Sequence, residues 1–335
     1  MNDRIFLTIG IPTYLREESL KQLLNQLANT QPICNCELLI INNGPVIDLG
    51  GLPQLLKNVG YAFRLIQNAY NCGGQENVLR IYENAGGDYI WFLGDDDRLY
   101  ENTLNAIICY IKANPCDCFH FNAKAADHPD IQLRDGYYTF TEIFSGAIPL
   151  RKFMFAPLNV IRKESILQHL PRARLHLGCF TPQLSLMLLG ELDKFYYLNR
   201  ALIHCDNVPV NRNQRLSILP VFLGIGYLPH IVSRRDKRIM INRLLKAEWK
   251  KFTNPITVIG ALAIAKITAK KINLFQYIKA GYRNYPILLA LAFPFGLLFI
   301  KLTPANILSG LIKFSVNKLR KKAVDVNEYF SEDRL

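Results

Sequence analysis

The sequence predicts an α/β fold, a mostly parallel sheet flanked by helices on both faces. Short apolar, β-branched runs alternate with segments of helical spacing, and strong turn signals separate them. Half of the 335 residues are hydrophobic, enough to cover a sheet on both sides.

Arg4–Ile11 reads as a buried strand that stops at Pro12-Thr13. Glu17–Ala28 repeats Leu at 20, 23, 24 and 27, the spacing of one helix face. Glu37–Ile41 is a second strand, ended by the turn Asn42-Asn43-Gly44-Pro45. A short helix near Pro53–Val59 and the strand Phe63–Gln67 follow. Asn71-Cys72-Gly73-Gly74 opens a helix through about Ala85, and Tyr89–Leu93 is a strand leading into Asp95-Asp96-Asp97. Glu101–Ala113 is helical and Cys116–Asn122 a further strand. Residues 124–150 read as loop and hairpin, while 153–161, 184–189 and 195–203 extend the unit to about 210. In such sheets ligands bind beyond the carboxyl ends of the strands. Thr13, Asn43 and Asp95 each follow a strand end, so one edge is expected to gather them.

The net charge of +13 is uneven. Residues 1–229 hold 20 basic and 21 acidic side chains, whereas 230–324 hold 19 basic and 2 acidic ones. Two uncharged apolar runs, Leu216–Ser233 and Asn284–Ile300, accompany that basic segment. At 18 and 17 residues, each broken by Pro and Gly, they fall short of the roughly 20 apolar residues of a membrane span. Basic helices lying on an anionic membrane surface fit this pattern, and a nucleic-acid arm does not. A buried helical subdomain with a basic outer face is the other reading. No signal peptide is expected from the apolar start Ile5–Ile11. The eight cysteines lack C-x₂-C spacing, so reduced thiols are expected rather than a zinc ribbon or disulfides.

Three consecutive carboxylates after a buried strand raise one another's pKa and need compensation. A divalent cation, Mn²⁺ or Mg²⁺, supplies it through carboxylate oxygens, with the remaining positions open to diphosphate oxygens. The alternative is an acidic turn at the N-terminus of the following helix.

Four motifs occur in order: Ile11-Pro12-Thr13-Tyr14; Glu37-Leu-Leu-Ile-Ile-Asn-Asn43; Asn71-x-Gly73-x-x-x-Asn77; and Gly87-Asp-Tyr-Ile-Trp-Phe-Leu-Gly-Asp-Asp-Asp97. Together they resemble the family 2 glycosyltransferases, over residues 3–210. They are most similar to bacterial polysaccharide and O-antigen transferases of the abequosyl- and rhamnosyltransferase type. The resemblance implies a GT-A nucleotide-diphospho-sugar transferase fold at 1–212. The basic, apolar, membrane-associating helical region would then occupy 213–335, with a short acidic tail. It implies that Pro12, Thr13 and Tyr14 line a nucleoside pocket, that Asp95 lies near the ribose and that Asp96 is a metal ligand. Asp97 stays a catalytic and ligand candidate, because the first Asp of the family motif aligns with either Gly94 or Asp95. Asn71, Gly73 and Gly74 resemble a loop approaching the donor.

Two positions depart from the family pattern. Asn43 stands where the family usually has an Asp facing uracil; an amide also donates and so suits cytosine. The donor is therefore expected to be CDP-, UDP- or dTDP-linked, with the amide as the argument for CDP. Inverting members also carry a carboxylate about 80–100 residues after the acidic motif as the acceptor's base. That stretch here is Gly178-Cys-Phe-Thr-Pro-Gln183-Leu-Ser. Glu191, Asp193 and His176 lie nearby without fitting the pattern. His204, Arg212 and Arg215 are weaker candidates for the diphosphate.

The expected activity is transfer of a hexosyl or deoxyhexosyl group to a polyprenyl-diphosphate-linked glycan at the cytoplasmic face of the inner membrane. A catalytically impaired donor-binding scaffold, or a sugar nucleotidyltransferase, are the rival readings. The second would need a Gly- and Arg/Lys-rich triphosphate loop, which Ile9–Leu15 lacks.

Overall fold

The structure is a computed structural model describing residues 4–124, 133–149, 152–153, 155–177, 181–204 and 231–248, with isolated positions near 300. The described residues up to 204, with 231–244, belong to one compact unit. A second unit (178–180, 208–229 and 245–335) falls almost wholly outside the described residues, and with it most of the expected C-terminal region. Residues 231–244, which the sequence assigned to that region, belong to the first unit.

The first strand, β1 (Leu7–Thr13), pairs in parallel with β2 (Cys36–Asn42) and with β4 (Tyr89–Phe92), and β2 pairs in parallel with β3 (Tyr61–Gln67). All seven residues of β2 are buried, the mark of a strand covered on both faces. Helix α1 (Glu17–Ala28) buries Leu20, Leu23, Leu24 and Leu27. With Leu56 of α2 (Leu52–Val59) and four residues of α4 (Thr103–Ala113), they cover Leu7, Ile9, Ile11, Leu38 and Ile40. The opposite face carries α3 (Gly74–Asn84), whose Ile81 lies on Gly10.

Beyond β4 the sheet is mixed. Its order is β3-β2-β1-β4, then β8 (Asn159–Arg162), β6 (Cys118–Lys124), β9 (Phe195–His204) and β5 (Arg98–Leu99), with β7 (Gly136–Tyr138) also on β9. Strand β8 runs antiparallel to β4 and to β6. Strand β9 is parallel to β6, and β5 and β7 join it antiparallel. The mostly parallel arrangement thus holds from β1 to β4. The later strands lack regular β-helix-β crossovers and enter in either sense. Of the expected loop and hairpin in 124–150, residues 125–132 lie outside the described residues; after them β7 pairs with β9, followed by a helical turn with a capping box, Thr139 with Glu142.

Pro12 does not end β1. Gly10 O accepts from Leu93 N and Thr13 O from Asn43 N, so alternate residues face β4 and β2. Pro12 shares the parity of Gly10, and β4 pairs no further than Gly10↔Phe92, so the missing N–H breaks no ladder bond.

Two buried details fix how these layers stack. Fully buried Glu37 accepts from Thr8 Oγ1 at 2.6 Å and Gly86 N at 2.7 Å, and pairs with Arg64. A Cβ on Gly10 would meet Ile81 Cγ2 at 2.1 Å. Gly10→Ala is therefore expected to cost about 1–3 kcal/mol by overpacking. In urea unfolding, the same change in an Ile81→Ala background should cost markedly less. Equal costs in both backgrounds would contradict this packing.

Segment 231–244 is held by a buried ammonium. Lys237, at the start of helix α5 (Arg235–Glu248), reaches Glu191 and Asp193 and lies 4.4 Å from the ring centre of Phe140. Glu191 Oε1 also accepts from the backbone N–H groups of Ser233 and Arg234. Both acids thus work as anchors for this segment.

Candidate functional site

The loops after β1, β2, β3 and β4 meet at one edge, as their order in the sheet requires. Thr13 Oγ1 donates to Asp95 Oδ2 at 2.7 Å, and Asn43 N donates to Thr13 O at 2.9 Å. The expected gathering of Thr13, Asn43 and Asp95 is therefore present. Pro12 lies within the pairing of β1, and Tyr14 is exposed at the rim with its ring over Gly44.

The three carboxylates have different surroundings. Asp97 closes a turn: its Oδ2 accepts from Gly94 N at 2.6 Å, and its own N–H reaches Gly94 O. Burial pushes its carboxyl up to about 7, with Asp96 and Asp95 adding to the rise and the Gly94 N–H opposing it. Asp95 is buried and also raised by desolvation, against the Thr13 hydroxyl and the Arg16 charge. Asp96 is the open one, with 42% of its side chain exposed. A Cβ at Gly94 would lie 3.0 Å from Asp96 Oδ1 and 3.1 Å from Asp97 Oδ2, so the turn needs glycine there to fold this tightly.

Arg16 is the member of this cluster that the sequence motifs do not include. One guanidinium nitrogen, Nη1, stands 2.7 Å from Asp96 Oδ2 and 3.1 Å from Asp95 Oδ1. Leu15 before it has φ 55°, and Arg16 itself caps α1, its carbonyl accepting from Leu20 N. The signal available in the sequence was the demand for counter-charge: three carboxylates need a cation, and Arg16 is the first one after the β1 loop.

Asparagines join the β2 and β3 loops. Asn43 Oδ1 accepts from Asn68 Nδ2 at 2.8 Å and from Cys72 N at 3.0 Å, while its Nδ2 donates to Asn71 Oδ1 at 2.6 Å. Asn71 Oδ1 also takes Gly73 N, and Gly73 has φ 86° at the entry to α3. Asn68 Nδ2 continues to Asn77, whose amide reaches Ile41 O. Asn71 and Gly73 thus shape the loop around Asn43, and one Nδ2 hydrogen of Asn43 is left over among the described residues. A cleft of about 510 Å³ opens alongside, lined by Leu15, Arg16, Pro45, Val46 and Ile47 among others.

Of the weaker candidates, His204 lies opposite Arg98, the residue that follows the acidic run. His204 ends β9 with its ring 3.6 Å from that of Tyr100, and Arg212 and Arg215 lie outside the described residues. Gln183 is fully buried, its Nε2 donating to Ala156 O at 3.3 Å, while its Oε1 and the Thr181 hydroxyl have no partner among the described residues. No group of three or more His, Cys, Asp or Glu is poised around a metal position among the described residues. The carboxylates still suit Mg²⁺ or Mn²⁺, which bind through one or two carboxylates plus substrate phosphates. Asp96 is open, and among the described residues Asp95 Oδ1 meets only the partly exposed Arg16.

Known proteins resemble this chain in sequence and in fold. Residues 8–166 match the model of glycosyl transferase family 2. Abequosyltransferase RfbV of Salmonella typhimurium is 31% identical over 134 residues, 39% of this chain and 40% of that relative. The match therefore spans less than half of the relative's length. TarS 1–349 of S. aureus superposes with a TM-score of 0.55 at 13% identity, over 82% of this chain and 81% of that one. Its complex with UDP gives 0.58 at 14% identity, over 95% and 92%. At such identities the likeness is one of fold, the GT-A arrangement of sheet and edge loops. The acidic turn and the β1 and β2 edge loops lie within residues 8–166, and that segment matches glycosyl transferase family 2.

Proposed function

We propose that this chain transfers a hexosyl or deoxyhexosyl group from a nucleoside diphosphate sugar to a lipid-linked glycan in surface polysaccharide synthesis. The observation that carries the reading is the edge cluster Thr13–Asp95–Arg16–Asp96, placed at the carboxyl ends of β1 and β4 inside the family 2 segment. Asp96 would hold Mg²⁺ or Mn²⁺, with Asp95 beside it. Bound there, the ion stabilises the charge that develops on the departing nucleoside diphosphate. Thr13 fixes the Asp95 carboxylate and Asp97 fixes the turn that presents Asp96. Identity to an abequosyltransferase supports an O-antigen deoxysugar as the group transferred.

The nucleotide is CDP-linked in this proposal. The spare Nδ2 hydrogen of Asn43 suits cytosine N3, an acceptor, and meets a like donor in uracil N3–H. The basic balance of 230–324 supports a location on an anionic membrane face next to a polyprenyl-diphosphate-linked acceptor. Among the described residues no helix is long and apolar enough to cross a membrane.

Turnover with CDP-, UDP- and dTDP-sugars on a lipid-linked acceptor tests both parts. CDP-sugars are expected to be preferred by about tenfold or more, the worth of one well-placed hydrogen bond. Exclusive use of UDP-sugars would overturn the nucleotide assignment and leave transfer standing; no transfer from any donor would overturn the reaction.

A further inference from the structure

We propose that Arg16 is a built-in counter-ion that competes with the divalent cation for Asp95 and Asp96, so that metal and donor diphosphate enter together. The inference rests on the donor-site reading and deepens it.

One nitrogen of Arg16 bridges the two carboxylates at 3.1 and 2.7 Å. Thr13 and Gly94 give the run hydrogen bonds but no charge, and the guanidinium of Arg98 is turned to Gln22 and to the Asp97 carbonyl. Among the described residues, Arg16 is thus the cation paired with this run. A divalent ion sits about 2.1 Å from a carboxylate oxygen, inside the space a guanidinium takes when bonded to the same oxygen. Two like charges on one carboxylate also repel, so bare metal meets an occupied, partly neutralised site.

A nucleoside diphosphate changes that balance. Its phosphate oxygens suit the planar guanidinium fork as well as a carboxylate does. With the backbone of Arg16 fixed as the cap of α1, and 37% of the side chain exposed, only the side chain must swing. It gives up the Asp oxygens to the metal and takes the diphosphate. Metal and nucleotide then assist each other's binding, and by linkage the assistance is equal in both directions.

Mn²⁺ binding read by electron paramagnetic resonance, with and without CDP and UDP, tests this on the full chain. Arg16→Gln should bind bare Mn²⁺ about tenfold or more tighter than the wild type, and the gain in Mn²⁺ affinity on adding nucleotide should shrink. Arg16→Lys should lie between the two. Arg98→Gln removes the same charge from the neighbourhood without breaking an ion pair to Asp95 or Asp96, and should leave Mn²⁺ affinity within about twofold. Unchanged or weaker Mn²⁺ binding in Arg16→Gln, or an equal gain in Arg98→Gln, would overturn the inference while the donor site stands. Failure of the wild type to bind Mn²⁺ even with nucleotide present would overturn the donor reading and the inference together.

Discussion

Asp96→Ala is expected to lower sugar transfer about a thousandfold while leaving thermal stability almost unchanged. A bound cation contributes several kcal/mol of charge stabilisation to a departing diphosphate, and about 4 kcal/mol corresponds to that factor. The fold has little stake in the side chain, which is partly exposed and whose partner is Arg16. Asp97→Ala is the contrasting case. Its carboxylate binds Gly94 N and shapes the turn, so its loss should lower stability as well as activity. Steady-state turnover beside a melting curve separates the two. An Asp96→Ala protein that keeps a tenth or more of wild-type turnover would contradict the role given to this residue.

The largest stability loss is expected at the other end of the sheet. Glu37→Ala should destabilise the fold by about 3–5 kcal/mol, the cost of breaking a buried charged network. Glu37 is fully buried and joins Thr8 of β1, Arg64 of β3 and the Gly86 backbone before β4. Thr8 Oγ1 in turn accepts from Gly87 N at 2.8 Å, so the substitution strands several buried groups at once. Glu37→Gln retains one good acceptor and should cost about half as much. Urea unfolding measures both, and transfer per folded molecule should stay near that of the wild type, because the knot lies at the amino end of β1 and β4. A loss below about 1 kcal/mol would contradict it.

Much of the fold was legible because its signals are local. The Leu spacing of 17–28 gave α1 residue for residue, and β2, β3, α2, α3, β4 and α4 fell within two residues of their expected bounds. The edge cluster followed from strand order, since Thr13, Asn43 and Asp95 each trail a strand. What the sequence hid depends on contacts between distant residues. Pro12 looks like a strand end unless the neighbour's last pair is known. The mixed half of the sheet depends on β8 inserting between β4 and β6, which no period reveals. Arg16 and Asn68 have ordinary loop identities, and their work appears only when three loops close on one another. Asp95, Asp96 and Asp97 look equivalent in sequence, yet one is tethered, one open and one turned inward.

A metal-assisted donor site at Asp96 is tested most directly by calorimetric titration of nucleoside diphosphates. CDP should bind the wild-type protein with Mn²⁺ present, at least about tenfold more weakly without it, and Asp96→Ala should erase the difference. Equal binding with and without Mn²⁺, or a metal effect that survives in Asp96→Ala, would contradict the account.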